Sequence, residues 1–174
     1  MGRIKDDVRR AEKGAAVTKI VTPQSASEMD GVRVLFVEYA ASLKIDLAFQ
    51  NFDAELLGLP GDYVGPSGAL LLATVGGEWA GCCAMRRLDA VDYPNACEMK
   101  RLYVRPGYRG LRLGRLLAQS ILEAARLAAY DCVLLDTLDD MEAARALYRD
   151  LGFAEIPPYY FSPIAGAHYL KAEL

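Results

Sequence analysis

The chain has 174 residues, 53% of them apolar and 25% charged, the balance of one globular domain able to bury its own core. A net charge of −3 argues against a general nucleic-acid binder, although a local basic patch can still hold a phosphorylated ligand. The sequence begins with charge throughout and no apolar centre, which speaks against a secretory signal. The four cysteines, Cys82, Cys83, Cys97 and Cys132, form no CxxC pair and read as small buried residues in a reducing compartment. A cytoplasmic protein is expected.

Taken in order, residues 1–16 read as a charged arm and residues 17–174 as the folded domain. Lys19 to Thr22 predicts a first strand, ended by Pro23. Ser27 is placed to cap a helix from about Glu28 to Ser42, with Val32, Leu35, Phe36, Tyr39 and Leu43 on one face. Phe49 to Leu57 predicts a second short helix with Asn51 or Asp53 near its start, and Leu59 to Ser67 a loop rich in Pro and Gly. Ala69 to Val75 and Trp79 to Arg87 predict a hairpin around Gly76-Gly77 rather than a membrane span.

Ala96 to Val104 reads as a further strand, and Leu113, Leu117, Ile121, Ala124 and Ala128 mark the apolar face of the next helix. Cys132 to Leu135 is an unalternated apolar run, as suits a strand covered on both sides. Asp139 or Asp140 is placed to cap a helix carrying Ala144, Leu147, Tyr148 and Leu151, stopped by Gly152. Phe153 to Ile156 and Ala167 to Lys171 complete the strands. The predicted fold is α/β: one domain, a mixed and mostly antiparallel sheet with helices on both faces, and one parallel strand-helix-strand crossover from Glu98 to Leu135.

The stretch Val104 to Leu117, VRPGYRGLRLGRLL, is the centre of this arrangement. Gly107, Gly110 and Gly114 allow tight turning, and a turn into a helix start offers unpaired N–H groups and the positive end of a dipole. Lys100, Arg101, Arg105, Arg109, Arg112 and Arg115 surround it, with no acidic residue until Glu123. This is the pattern of a phosphate-binding turn.

With these residues in view, the chain resembles the GNAT superfamily of acetyl-CoA-dependent N-acetyltransferases. The family's motif of Arg or Gln, two residues, Gly, one residue, then Gly or Ala matches Arg109-Gly110-Leu111-Arg112-Leu113-Gly114. LYVRP (Leu102 to Pro106) precedes it, and ALYRDLGF (Ala146 to Phe153) resembles the family's later helix-to-strand motif. Two positions depart: Arg112 stands where the inner glycine usually sits, and Met141 where an Asn is often found. A non-glycine at the turn is acceptable where its backbone stays near helical φ and ψ.

The resemblance implies direct acetyl transfer from acetyl-CoA to a primary amine in a ternary complex. No nucleic-acid or membrane partner is expected, and a homodimer is left open. The main chain of Leu102, Tyr103 and Val104 would pair with the pantetheine arm, and an N–H there would stabilise the tetrahedral oxyanion. Arg109, Gly110, Leu111, Arg112, Leu113, Gly114 and Arg115 would hold the phosphates. Glu98 is the candidate base, set against an ion pair with Lys100 or Arg101; Tyr148 is the candidate acid, set against a packed helix tyrosine. His168 reads as a packed strand residue, and Tyr159, Tyr160 and Phe161 as an aromatic wall or a packed loop. No metal is expected, since no ligand cluster has metal spacing. A non-catalytic acyl-CoA-binding sensor is the alternative, and a generic nucleotide-binding α/β protein ranks behind both.

Overall fold

The computed structural model describes residues 16–89 and 91–174, so the arm expected over residues 1–16 lies almost wholly outside the described residues. The strands are β1 (Thr18–Val21), β2 (Ala69–Val75), β3 (Glu78–Leu88), β4 (Ala96–Val104), β5 (Cys132–Leu138), β6 (Ala154–Ile156) and β7 (Ala167–Glu173). The helices are α1 (Ala26–Leu43), α2 (Phe52–Gly58), α3 (Leu113–Leu127) and α4 (Glu142–Asp150). The strands form one sheet in the order β1-β2-β3-β4-β5-β7-β6, and every pair is antiparallel except β4 with β5. The predicted crossover is that pair, joined through α3.

Both faces of the sheet are covered, which explains why its central strands lack polar alternation. Leu70, Leu72, Cys82 and Ala84 pack with Val32, Leu35 and Phe36 of α1, whereas Leu71, Cys83, Met85 and Cys97 pack with Leu117 and Ile121 of α3. The adjacent Cys82 and Cys83 thus serve opposite faces, and all four cysteines are free and buried. Among the described residues, no helix is long and apolar enough to cross a membrane.

Several local expectations need correction. Ser25, not Ser27, caps α1: its Oγ accepts from the Glu28 N–H at 3.1 Å, while Glu28 Oε2 accepts from the Ser25 N–H at 3.0 Å. Ser25 has Glu28 three residues on, the long carboxylate a reciprocal cap requires, whereas Ser27 has the shorter Asp30. The segment Phe49 to Leu57 is broken, because Asn51 turns left-handed (φ +56°) between a 3₁₀ turn at Ala48–Gln50 and α2. Neither Asp139 nor Asp140 caps α4; Met141 takes that position, and Asp139 is drawn away to His168. β5 runs on past Leu135 because β7 pairs with its full length, from Cys132↔Glu173 to Leu138↔Ala167.

Two irregularities set up the site. The parallel ladder joins only Ala96, Cys97 and Glu98 to Cys132, Val133 and Leu134; beyond Glu98 the two strands part. In the same region β4 carries a bulge, since Ala84 faces Lys100 but Cys82 faces Tyr103. Arg101, at φ +59°, takes up the extra residue.

Candidate active site

Where β4 and β5 part, a groove of about 660 Å³ opens between the ends of those strands, α3 and α4. Leu102, Tyr103 and Val104 form its floor, and Arg109, Gly110, Arg112, Leu113, Gly114 and Arg115 its rim. The side chain of Leu111 turns under the loop instead, against the cluster of Val75, Ala80 and Leu113. The N–H groups of Tyr108 and Arg109 are taken by the 3₁₀ turn, donating to Arg105 O and Pro106 O at 2.9 and 3.2 Å. The N–H groups able to receive an anion therefore begin at Gly110 (φ +82°) and run into the first turn of α3, whose N–H groups have no carbonyl one turn back.

Arg112 does not keep helical φ and ψ. It sits left-handed, at φ +63° and ψ 14°, as the residue preceding α3. A side chain there costs roughly 1–2 kcal/mol relative to the right-handed form. The loop keeps its glycine-like geometry and absorbs the strain.

The basic island of the sequence divides in space. Arg109 Nε donates to Val104 O at 3.0 Å and Arg115 pairs with Asp150 of α4 at 2.8 Å, both at the groove. Arg105 is committed elsewhere: its guanidinium spans Glu38 of α1 and donates to Trp79 O, clamping helix to sheet. Lys100 and Arg101 face the α1 side of the sheet and are buried. The bulge sends these consecutive side chains to one place, since both meet Gln50 Oε1, at 3.5 and 2.9 Å.

That place is a small chamber of about 30 Å³, sharing Tyr39, Leu43, Leu102 and Met141 with the groove. Lys100, Arg101, Asp136, Thr137, Tyr148 and Ser162 are among its walls. Lys100 and Gln50 separate it from a vestibule of about 310 Å³, lined also by Glu55, Asp62, Tyr63 and Arg86. The chamber thus lies between groove and vestibule, sharing walls with each.

A charged network surrounds the chamber. Arg101 donates to both oxygens of Glu55, at 3.0 and 2.6 Å, with Phe52 and Tyr39 against its guanidinium. Burial pulls the Glu55 carboxyl upward, but Arg101 and the Tyr63 hydroxyl outweigh it and hold the group below its ordinary range. Glu98 is 2% exposed: Arg86 donates twice to Oε2, at 2.9 and 2.8 Å, Lys100 lies 3.8 Å away, and the Tyr159 hydroxyl donates to Oε1 at 2.9 Å. Asp136, on β5 just past the parallel ladder, has its carboxyl raised by burial and by Glu98, with Lys100 opposing. Burial likewise pulls the Lys100 ammonium below its usual range, against the pull of Glu98.

The candidate acid, Tyr148, is buried at the chamber wall and packs edge-on to Phe153 at 5.6 Å. Burial raises its hydroxyl well above the ordinary phenol, so it stays protonated. Tyr159 and Tyr160 form a wall with Tyr169, rings 5.4 Å apart, while Phe161 points outward at 87% exposure. His168 is half-buried rather than packed in the core: it joins β7 to Glu155 of β6 and to Asp139. Among the described residues, no group of three potential metal ligands is gathered.

The model of the acetyltransferase (GNAT) family matches residues 36–153, which include the groove, all of the chamber's walls but Ser162 and Ile164, and both strands that part between them. The chain belongs to the GNAT acetyltransferase family. An uncharacterized N-acetyltransferase of Schizosaccharomyces pombe is 38% identical over 160 residues, covering 91% of this chain and 94% of the relative. A Streptococcus agalactiae acetyltransferase shares the fold at a TM-score of 0.73 and 23% identity, covering 90% and 98% of the two chains. A Salmonella typhimurium putative acetyltransferase, solved with acetyl-CoA, does so at 0.66 and 17%, covering 91% and 94%.

In this acetyltransferase the sequence pointed to the groove but missed most of the chamber. Asp136 was the legible omission, a lone carboxylate inside the buried run CVLLDTL. Gln50, Glu55 and Arg86 carried no local signal, because only the tertiary fold brings them to Lys100 and Arg101.

Proposed function

We propose that this acetyltransferase moves an acetyl group from acetyl-CoA to the primary amine of a small molecule, by direct attack in a ternary complex. The observation that carries the reading is the junction of groove and chamber at Leu102 and Met141, where a thioester and an amine would meet. The cradle from Gly110 into α3, with Arg109, Arg112 and Arg115, suits the phosphates of coenzyme A. The exposed edge of β4 at Leu102, Tyr103 and Val104 suits the amide-bearing pantetheine arm. Four free buried cysteines fit a reducing, cytoplasmic setting.

An ammonium must lose a proton before it can attack. Asp136 takes that proton, and Glu98 acts with it as the second carboxylate of a pair. A nearby like charge raises proton affinity, and Glu98 does this to Asp136 while Arg86 and Tyr159 hold Glu98 in place. The neutral amine attacks the thioester carbonyl, and a main-chain N–H of the bulged strand stabilises the oxyanion. As the C–S bond breaks, Tyr148 gives its proton to the departing sulfur and recovers one from the nitrogen, which becomes the amide.

The test is acetyl-CoA-dependent thiol release with a panel of amines. Asp136→Asn and Tyr148→Phe are each expected to lower kcat about 10²- to 10⁴-fold, the usual span for a lost proton-transfer group. Unchanged turnover in both variants would contradict the assignment.

A further inference from the structure

We infer that the acceptor of this enzyme carries a carboxylate close to its amine, and that Lys100 anchors that carboxylate at the boundary of chamber and vestibule. The inference rests on the acetyl-transfer reading above and names the chemistry of its second substrate.

The first ground is the state of Lys100. Its side chain is 7% exposed, yet its nearest acceptors are distant: Gln50 Oε1 at 3.5 Å and Glu98 Oε2 at 3.8 Å. Charge-assisted N–H···O bonds are ordinarily about 2.7–2.9 Å. Buried ammonium groups are costly unless paired and hydrogen-bonded. The neighbouring cations contrast with it: Arg101 is doubly bonded to Glu55, and Arg86 to Glu98.

The second ground is charge balance. With Glu55 committed to Arg101 and Glu98 to Arg86, Lys100 and Asp136 remain as the opposite charges lining the chamber without a direct ion pair; Asp136 is hydrogen-bonded to the Tyr160 hydroxyl, and each of the two charges influences the other's titration. A simple alkylammonium would add one uncompensated positive charge to this dry network. A zwitterionic amino acid adds none: its ammonium meets Asp136 and its carboxylate meets Lys100. Insertion of opposite charges between a separated pair keeps each buried ion matched.

The third ground is position. Lys100 borders both the chamber and the vestibule, whereas Leu102 and Met141 border both the chamber and the groove. A carboxylate held at Lys100 therefore lies on the side away from the thioester, with the amine directed toward it. The chamber's 30 Å³ has room for little beyond the ammonium, and the 310 Å³ vestibule leaves space for the carboxylate at Lys100 and a side chain beyond it.

The test uses the full chain saturated with coenzyme A and titrated calorimetrically with N-acetylglycine and with N-acetylglycinamide, which differ in the carboxylate alone. The wild type is expected to bind the acid at least tenfold more tightly. Lys100→Met should abolish that preference, and Lys100→Arg should retain most of it; unchanged acetyl-CoA affinity in both variants certifies the fold. Equal binding of acid and amide by the wild type, or a preference that survives Lys100→Met, would overturn the inference. In parallel, thiol release is compared for glycine and glycinamide with acetyl-CoA. A Lys100-dependent preference for the acid in binding, but no thiol release with any amine, would uphold the carboxylate site and refute the transfer reading. Faster turnover of the amide would overturn the inference and leave transfer intact.

Discussion

Arg112 and Asp136 show how single positions define this site. Arg112 holds the left-handed backbone that a glycine would take without strain, so Arg112→Gly separates conformation from charge. Relief of the strain is offset by the freer unfolded chain, and the melting temperature should shift by no more than about 1 kcal/mol warrants. Acetyl-CoA affinity should instead fall roughly tenfold, about 1.4 kcal/mol, from loss of a phosphate partner. Calorimetry beside thermal melting reads both, and unchanged affinity would remove Arg112 from the cofactor site. For Asp136, burial raises the pKa and the carboxylate must be ionised to take a proton. The acid limb of kcat should therefore lie above the ordinary aspartate range of about 3.9, with activity falling as pH drops through it. An acid limb at or below that range would contradict the role.

At the scale of elements, β4 does most to organise the site. Its first residues pair with β5, its bulge sends Lys100 and Arg101 to the chamber, and its last three residues floor the groove. Gly81 of β3 makes this possible: a Cβ there would lie 2.6 Å from Tyr103 O and 3.3 Å from both Leu117 and Val104 side chains. Gly81→Ala should cost about 1–3 kcal/mol of stability and weaken acetyl-CoA binding, because the strand displaced is the one proposed to receive pantetheine. Denaturant unfolding and cofactor titration check the two effects, and full retention of both would show that β3 and β4 can part freely. Much of this element order was legible because covered strands and amphipathic helices have distinct periods. The bulge was not, since Lys100-Arg101-Leu102 is unremarkable as a string and Arg101 turns left-handed through its partners.

Across the whole molecule, α1 and α2 are tied to the sheet by charges that local sequence could not pair. Glu55 meets Arg101 and Glu38 meets Arg105, at separations of 46 and 67 residues. Breaking a buried pair leaves a charge unmatched, so Glu55→Gln should destabilise the fold by about 3 kcal/mol at neutral pH. Glu55 has a folded pKa below its unfolded value, so its stabilisation is full above the ordinary carboxylate range and is lost as pH falls through the depressed value. The stability gap between wild type and Glu55→Gln should therefore narrow in acid; a gap independent of pH would assign the effect to packing. The groove was legible because its glycines and arginines lie within one turn. The chamber and its charged surroundings are assembled from many separate elements, and their carboxylates and cations make sense only together.

The most direct measurement is a calorimetric titration of the full chain with acetyl-CoA, with ATP and NAD as controls. One site per chain is expected, selective for acetyl-CoA and weakened by Arg112→Gly. Absence of acetyl-CoA binding, or equal binding of ATP or NAD, would contradict the reading of the groove on which the proposed transfer depends.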